Sequence, residues 1–129
     1  MNYSSKKVVT IDPPFIFKSG DTFEDPLTIA YETSGTLNDK KDNAILVTTG
    51  LSPSAHICSS TEDTSPGWWE KIVGEGKYID TEKYFVICIN SLGSCYGSSG
   101  PASHKPNTEE KYGLSFPEVM IEDIALSMK

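Results

Sequence analysis

The chain has 129 residues, of which 37% are hydrophobic and 22% charged, and its formal net charge is −7. These values fit one domain or part of one, with enough apolar side chains for a core, and they exclude an intrinsically disordered chain. The acidic balance and the lack of a Lys/Arg cluster argue against a nucleic-acid-binding face, and the short apolar runs cannot cross a membrane.

The N-terminal residues contain no apolar stretch of the kind that a signal peptide needs. The three cysteines are odd in number and lack CxxC spacing. We therefore expect reduced thiols and a cytoplasmic location.

The first predicted elements are two strands. Residues 8–17 are rich in β-forming side chains but contain Pro13 and Pro14, which predicts an edge strand with a break. Residues 27–33 alternate Leu, Ile and Tyr with Thr, Ala and Glu, which is typical of a half-buried strand. The two are expected to form an antiparallel pair.

Two continuous apolar runs follow, at residues 44–47 and 84–89. Such runs are typical of strands that are covered on both faces of a sheet. Between them, Ser65 as a cap, Pro66 in the first turn and Gly74 at the end predict a short helix. Strands joined through a crossover helix predict a parallel sheet.

The last predicted element is a helix that begins at a capping box, residues 115–118, with Leu114 and Val119 as its hydrophobic staple. Apolar residues then recur at helical spacing up to Met128, so that one face of the helix should point to the core.

The sequence around Ser52 imitates the nucleophile elbow GxSxG but does not satisfy its chemistry. Ser54 stands where the motif has its second Gly, and Pro53 has no backbone N–H to offer to an oxyanion. We therefore reject Ser52 as the nucleophile. Gly50 and Leu51 are interpreted as part of the loop after the strand, which is either an ordinary turn or the donor of an oxyanion N–H.

The loop at residues 93–101 carries three glycines after a predicted buried strand but matches neither a phosphate-binding loop nor GxGxxG. Its glycines indicate tight turns or the close approach of a ligand, and both interpretations stay open. Cys95 in this loop would need a base to act as a nucleophile, and the chain has only two histidines. The spacing of His56, Cys58, Cys95 and His104 matches no zinc site, so no metal is predicted.

Several stretches together resemble the homoserine O-acetyltransferase family of α/β-hydrolase-type acyltransferases in methionine biosynthesis. They are LTIAYETSGTLN, NAILVTTGLSPSAH, GWWEKIVGEGKYIDTEKYFVICINSLGSCYGSSGP, YGLSFPEV and the IED of the final helix. The resemblance covers roughly residues 10–128. It departs from the family at Thr49, where His is usual, and at Glu122, where Arg is usual.

The resemblance implies a fold and a reaction. The fold is the N-terminal part of an α/β-hydrolase, in which an antiparallel strand pair leads into a parallel sheet with flanking helices, and residues 1–129 form one partial domain. The reaction is transfer of an acyl group from acyl-CoA, as acetyl-CoA, to the hydroxyl of L-homoserine, with no bound cofactor. A succinyl donor or serine as the acceptor stays open.

The resemblance also implies site residues. Leu51 occupies the position whose backbone N–H contributes to the oxyanion hole, and the candidates for the substrate pocket are Gly50, Ser52, His56, Cys95, Tyr96 and Gly97. The family's nucleophilic serine, triad Asp and triad His have no counterpart in this sequence. We therefore expect this chain alone to be catalytically incomplete.

The alternatives are a non-catalytic module that binds a complementing chain through an open sheet edge, and an esterase-like remnant. The strand at 44–47 would provide that edge, so we expect low solubility or oligomerisation unless a second chain completes the sheet.

Overall fold

The computed structural model describes residues 5–50 and 52–129. It contains eight strands, one 3₁₀ turn at Gly113–Ser115 and one helix, α1, at Ile121–Ser127. The strands are β1 Lys7–Ile11, β2 Phe15–Ile16, β3 Thr22–Phe23, β4 Leu27–Ser34, β5 Ala44–Thr48, β6 Val73–Gly74, β7 Ile79–Asp80 and β8 Phe85–Ile89. No helix among the described residues is long and apolar enough to cross a membrane.

The main sheet has four strands in the order β1-β4-β8-β5. β8 pairs antiparallel with β4, from Tyr31 opposite Ile89 to Ser34 opposite Val86. It pairs parallel with β5 along its whole length. The predicted parallel pairing of the two apolar runs is therefore confirmed, and β5 is an edge strand of the sheet.

The described chain forms two units, one of residues 5–7 with 31–89 and one of residues 8–30 with 90–129. The core of the first unit is small and aliphatic, with buried side chains from the loop after β5, from β6 and from β8. These core residues are Ala55, Ile57, Cys58, Val73, Val86 and Cys88.

The core of the second unit is aromatic. Phe17 and Phe116 are buried, and their ring centroids lie 6.1 Å apart in an edge-to-face arrangement. Phe23 packs against Phe116 and against Tyr112, at 5.4 and 5.2 Å. The edge-to-face contacts of Phe116 with Phe17 and Phe23 are favourable because the positive edge of one ring meets the negative face of the other.

The predicted helix at residues 65–74 is wrong. The segment forms consecutive turns, and Gly74 lies in β6 rather than after a helix. The backbone N–H groups of Trp68 and Trp69 donate to the carbonyls of His56 and Ile57. One turn does close, through the Val73 N–H and the Trp69 carbonyl at 3.0 Å, but Val73 and Gly74 then pair with Ile79 and Asp80 in the parallel pair β6–β7 and no helix continues.

Three further expectations about the strands and the final helix are wrong. β5 is not covered on both faces, because Leu46 remains 49% exposed. In β4 the alternation breaks, since Ala30 and Glu32 are buried and Tyr31 is only partly buried. The final helix buries Asp123 and Ser127 rather than an apolar stripe.

The predicted capping box at residues 115–118 is also wrong. Ser115 ends the 3₁₀ turn, where its hydroxyl donates to the Tyr112 carbonyl at 2.6 Å. The helix begins six residues later than Ser115, at Ile121. Its first turn is capped by Asp123, whose carboxylate accepts the N–H of Met120 at 2.8 Å.

Candidate functional site

The loop after β5 carries the first group of predicted site residues. Gly50 and Ser52 are both exposed, while Leu51 lies outside the described residues. At the start of the loop, the Thr49 hydroxyl donates to the Ile89 carbonyl at 3.2 Å, which joins the ends of the paired strands β5 and β8. Pro53 follows Ser52, so the amide after this serine offers no hydrogen to an oxyanion.

His56 is the predicted site residue with the most developed surroundings. It is buried, and its Nδ1 lies 3.0 Å from a carboxylate oxygen of the buried Glu32 on β4. Its Nε2 lies 2.9 Å from the Ser65 carbonyl oxygen and 3.1 Å from the Ser65 hydroxyl. A carboxylate oxygen of Asp63 is 3.9 Å from Nδ1.

The charge state of His56 follows from these neighbours. Burial opposes the charged form of the ring, and it is the largest single influence on the pKa of His56. The Ser65 carbonyl and the carboxylates of Glu32 and Asp63 together outweigh it, so that the pKa of His56 is raised above the ordinary 6.5. The acceptors around the ring therefore favour its charged, imidazolium form.

A shallow cavity of about 350 Å³ lies beside this histidine. It is lined by Pro53, Ser54 and His56 on one side and by residues 65–68 on the other. The Trp68 indole N–H donates to the Ser54 carbonyl at 2.8 Å, which fixes the ring at the cavity. Trp69 stacks on it with ring centroids 5.1 Å apart, and both rings are partly exposed.

A larger cavity of about 730 Å³ in the same unit is lined largely by hydroxyl and charged side chains. One of them is Glu70, whose carboxylate accepts the backbone N–H groups of Gly67 and Ser59 at 3.0 and 2.7 Å. It also receives the Lys77 ammonium at 3.1 Å. These bonds lower the pKa of Glu70 to about 2. The carboxylate therefore has a structural role, since its bonds link these segments of the chain.

The Gly-rich loop belongs to the second unit. Gly93 and Gly97 have φ angles of 86° and 110°, where side chains are disfavoured. The buried Ser98 hydroxyl accepts the Ala30 N–H at 3.0 Å and donates to the Asn90 carbonyl at 2.6 Å. The serines and glycines of the loop therefore close its own turns and bind it to β4.

The other predicted residues of that loop have different surroundings. Cys95 and Gly97 are exposed, and Tyr96 is partly buried with its carbonyl accepting the Asn90 side-chain amide at 3.1 Å. Of the candidates in the first unit, His56 lines a cavity, whereas Gly50 and Ser52 line none of the cavities described above. Within residues 5–50 and 52–129, no group of His, Cys, Asp and Glu is arranged to hold a metal ion.

Sequence reasoning missed two participants, Glu32 and Ser65. Glu32 was assigned to the polar face of its strand, although a buried carboxylate is stable only beside a partner. A glutamate within an otherwise apolar and hydroxylic strand, in a chain with only two histidines, was the available signal. Ser65 was interpreted as a helix cap, whereas its carbonyl and hydroxyl face the imidazole of His56.

The sequence matches no family model. It is 64% identical over 97 residues to the L-serine/homoserine O-acetyltransferase of Streptomyces lavendulae, an alignment that covers 75% of this chain and 26% of that protein. It is 59% identical over 103 residues to the serine O-succinyltransferase of Litchfieldella anticariensis, covering 80% of this chain and 28% of that protein. The chain thus spans little more than a quarter of the length of these relatives.

Solved structures give the same picture. The homoserine O-acetyltransferase of Bacillus anthracis aligns with a TM-score of 0.84 at 32% identity, covering 99% of this chain and 36% of that structure. A crystallised esterase aligns with a TM-score of 0.81 at 35% identity, covering 95% of this chain and 35% of that structure. The predicted fold, the N-terminal part of an α/β-hydrolase, is confirmed.

Proposed function

We propose that this chain, an N-terminal segment of the homoserine O-acetyltransferase family, forms the sheet and pocket wall of an acyltransferase. The reaction is transfer of an acetyl group from acetyl-CoA to the hydroxyl of L-homoserine. The observation that carries the proposal is the 64% identity to a relative named L-serine/homoserine O-acetyltransferase. A relative named serine O-succinyltransferase makes succinyl-CoA and L-serine the alternative substrates to be tested.

The proposed chemistry has two steps. A nucleophilic hydroxyl attacks the thioester carbonyl, the carbon–sulfur bond breaks, and coenzyme A leaves as its thiol. The hydroxyl of homoserine then attacks the acyl-enzyme ester and regenerates the nucleophile. Each attack places negative charge on the carbonyl oxygen, which backbone N–H donors stabilise, and we assign one of these donors to Leu51.

Other residues are proposed as pocket residues. In the first unit, Gly50, Ser52 and His56 are proposed as the wall after β5, and Cys95, Tyr96 and Gly97 of the Gly-rich loop are separate pocket candidates. We assign the nucleophile to none of them, because Pro53 disqualifies the amide after Ser52 and Cys95 would need a base to act as a nucleophile. We therefore propose that the nucleophile belongs to a complementing polypeptide.

The proposed contact for that polypeptide is the free edge of β5. β5 is last in the strand order, and Leu46 on it is 49% exposed. An uncovered edge with apolar side chains invites pairing with another strand. We expect the isolated chain to self-associate, which light scattering after gel filtration measures, and Leu46→Lys to reduce the associated fraction. A cooperatively melting monomer would contradict this expectation.

Release of the coenzyme A thiol tests the proposed activity. The assay uses acetyl-CoA or succinyl-CoA with L-homoserine or L-serine, on this chain alone and with the polypeptide encoded directly downstream. A parallel reaction without acyl-CoA measures the background, because the exposed thiol of Cys95 itself reacts with the thiol reagent. Activity in the mixture alone supports the proposal.

The other outcomes decide against it. Activity of the chain by itself would overturn the need for a complementing chain and return attention to Ser52. Silence in every combination would overturn the proposed function. Thiol release that needs no amino acid would favour the esterase-like alternative, which the structural similarity to an esterase supports.

A further inference from the structure

The protonation of His56 is dictated by its partners. Nδ1 faces the Glu32 carboxylate at 3.0 Å and Nε2 faces the Ser65 carbonyl at 2.9 Å. Carboxylate and carbonyl oxygens only accept hydrogen bonds, so each ring nitrogen has to donate. A neutral imidazole has one N–H, and it would leave one of these two oxygens facing a lone pair.

The neighbouring hydroxyl does not relieve this conflict. Ser65 Oγ lies 3.1 Å from Nε2, but its hydrogen is directed to the Asp63 carboxylate at 2.6 Å. If the ring lost its Nε2 proton, Ser65 would have to turn its hydroxyl away from Asp63 to satisfy the nitrogen. The loop at residues 63–65 is thus built for the doubly protonated ring.

The charged and titratable groups around the ring come from several elements. Glu32 reaches it from β4 and Asp63 from the loop, both as carboxylates. Cys88 on β8 and Cys58 lie near Glu32, and burial raises the pKa of both thiols, which keeps them neutral. The ring therefore faces negative charge from two sides.

His56 connects the loop after β5 to two other pieces of the first unit. Its side chain joins β4 through Glu32 and residues 63–65 through Ser65. Its carbonyl accepts the Trp68 N–H at 3.2 Å, and two residues earlier the Ser54 carbonyl accepts the Trp68 indole N–H. The wall of the 350 Å³ cavity is made of these same residues.

We propose that the His56 imidazolium is a positioning residue that fixes the loop after β5 to β4, and that this loop loosens when the ring loses a proton. Its relevance to catalysis rests on the proposed function, in which the same loop supplies the oxyanion donor and pocket wall. The raised pKa of His56 agrees with this assignment, since the folded state favours the proton.

Ring ¹⁵N spectroscopy of a His104→Gln variant tests the proposal, because His56 is then the single histidine in the spectrum. We expect both ring nitrogens to show the protonated shift at pH 6.5, with a midpoint above that value. The indole N–H signal of Trp68, assigned with a Trp69→Phe variant, should move with the same midpoint. A His56 midpoint at or below pH 6.5 would overturn the proposal. A Trp68 signal that does not shift at the His56 midpoint would also overturn it.

Glu32→Gln supplies the sharper comparison. Glutamine keeps the shape of Glu32 but not its charge, so the His56 midpoint should fall by about one pH unit or more, and the Trp68 transition should fall with it. An unchanged midpoint would refute the role of Glu32. If this variant fails to fold, the titration of the His104→Gln chain still decides the proposal.

These measurements need no enzymatic turnover, so the proposed acyl transfer and the role of His56 can fail separately. In an active mixture, the pH profile adds a readout that a purely structural residue would not move. Activity should fall on the alkaline side with the His56 midpoint, and Glu32→Gln should shift that limb toward lower pH.

Discussion

Replacing Gly67 by alanine should strongly destabilise the first unit. A Cβ at this position would lie 2.2 Å from the carbonyl carbon of Ile57 and 2.2 Å from the amide nitrogen of Cys58. Carbon atoms in favourable contact lie about 3.5–4.0 Å apart, so the two backbone segments would have to separate by more than about 1 Å. Both neighbours are backbone atoms, which cannot rotate away as a flexible side chain would.

The magnitude follows from what that separation disrupts. The hydrogen bonds from Trp68 to His56 and from Trp69 to Ile57 cross this gap at 3.2 and 2.9 Å. Losing two backbone hydrogen bonds costs about 1–3 kcal/mol, and overpacking adds about 1–3 kcal/mol. The expected loss is about 2–6 kcal/mol. A typical domain has a free energy of unfolding of about 5–15 kcal/mol, so this loss is a large part of it.

Urea denaturation followed by far-UV circular dichroism measures this loss, with Gly50→Ala as the matched control. A Cβ at Gly50 meets nothing closer than the Pro53 side chain at 3.9 Å. The control should therefore change the free energy of unfolding by no more than about 0.5 kcal/mol. If Gly67→Ala stays within about 0.5 kcal/mol of the control, the close backbone crossing is refuted.

Three further predictions concern side chains. A thiol reagent should modify Cys95 rapidly and the buried Cys58 and Cys88 only after denaturation, because burial raises the pKa of Cys88 to about 12. A Cys95→Ser chain that still reacts rapidly would contradict this. Asp123→Ala should lower the unfolding free energy by about 1–3 kcal/mol, since Asp123 is buried and accepts two backbone N–H groups; an exposed-site control such as Glu122→Ala should leave it unchanged in the same denaturation experiment. Stability should fall as the pH drops from 4.5 toward 2, because the backbone amides around Glu70 lower its pKa to about 2; thermal melts should show that Glu70→Gln removes part of this fall, and an unchanged acid dependence would count against it.

The parallel pairing of β5 and β8 could be predicted because two short apolar runs have few other stable arrangements. The failure at residues 65–74 has a physical cause that the local sequence does not contain. Local capping signals are worth only about 1 kcal/mol each, whereas the chain at Val73 and Gly74 leaves the turn to pair with Ile79 and Asp80 in β6–β7.

The misplaced capping box has a similar cause. Phe116 sits inside that motif, but its side chain is buried in the aromatic core of the second unit. This packing holds its backbone extended, at φ −69° and ψ 133°, where a helix cannot pass. Burial of an aromatic ring is worth about 1.5–3 kcal/mol, more than the motif can supply.

The candidate site was predictable only in part for the same reason. His56 stood out as one of two histidines, but its partner Glu32 lies 24 residues earlier on another strand. Periodicity within β4 assigned Glu32 to a polar face, and nothing within the strand signals that this face is covered. Pairings between distant polar groups depend on the tertiary fold, which local pattern does not specify.

Turns replace the helix expected at residues 65–74, and ionised side chains stabilise residues 54–70. The stability of this segment therefore depends on pH. Glu70, whose folded pKa of about 2 lies below 4.5, stabilises the fold above pH 4.5 and loses this effect as the pH falls toward 2. His56, whose folded pKa lies above 6.5, stabilises the fold below pH 6.5, and this contribution disappears as the pH rises through the folded value. The two effects therefore overlap fully between pH 4.5 and 6.5, and the loop between β5 and β6 should be most firmly held in that interval.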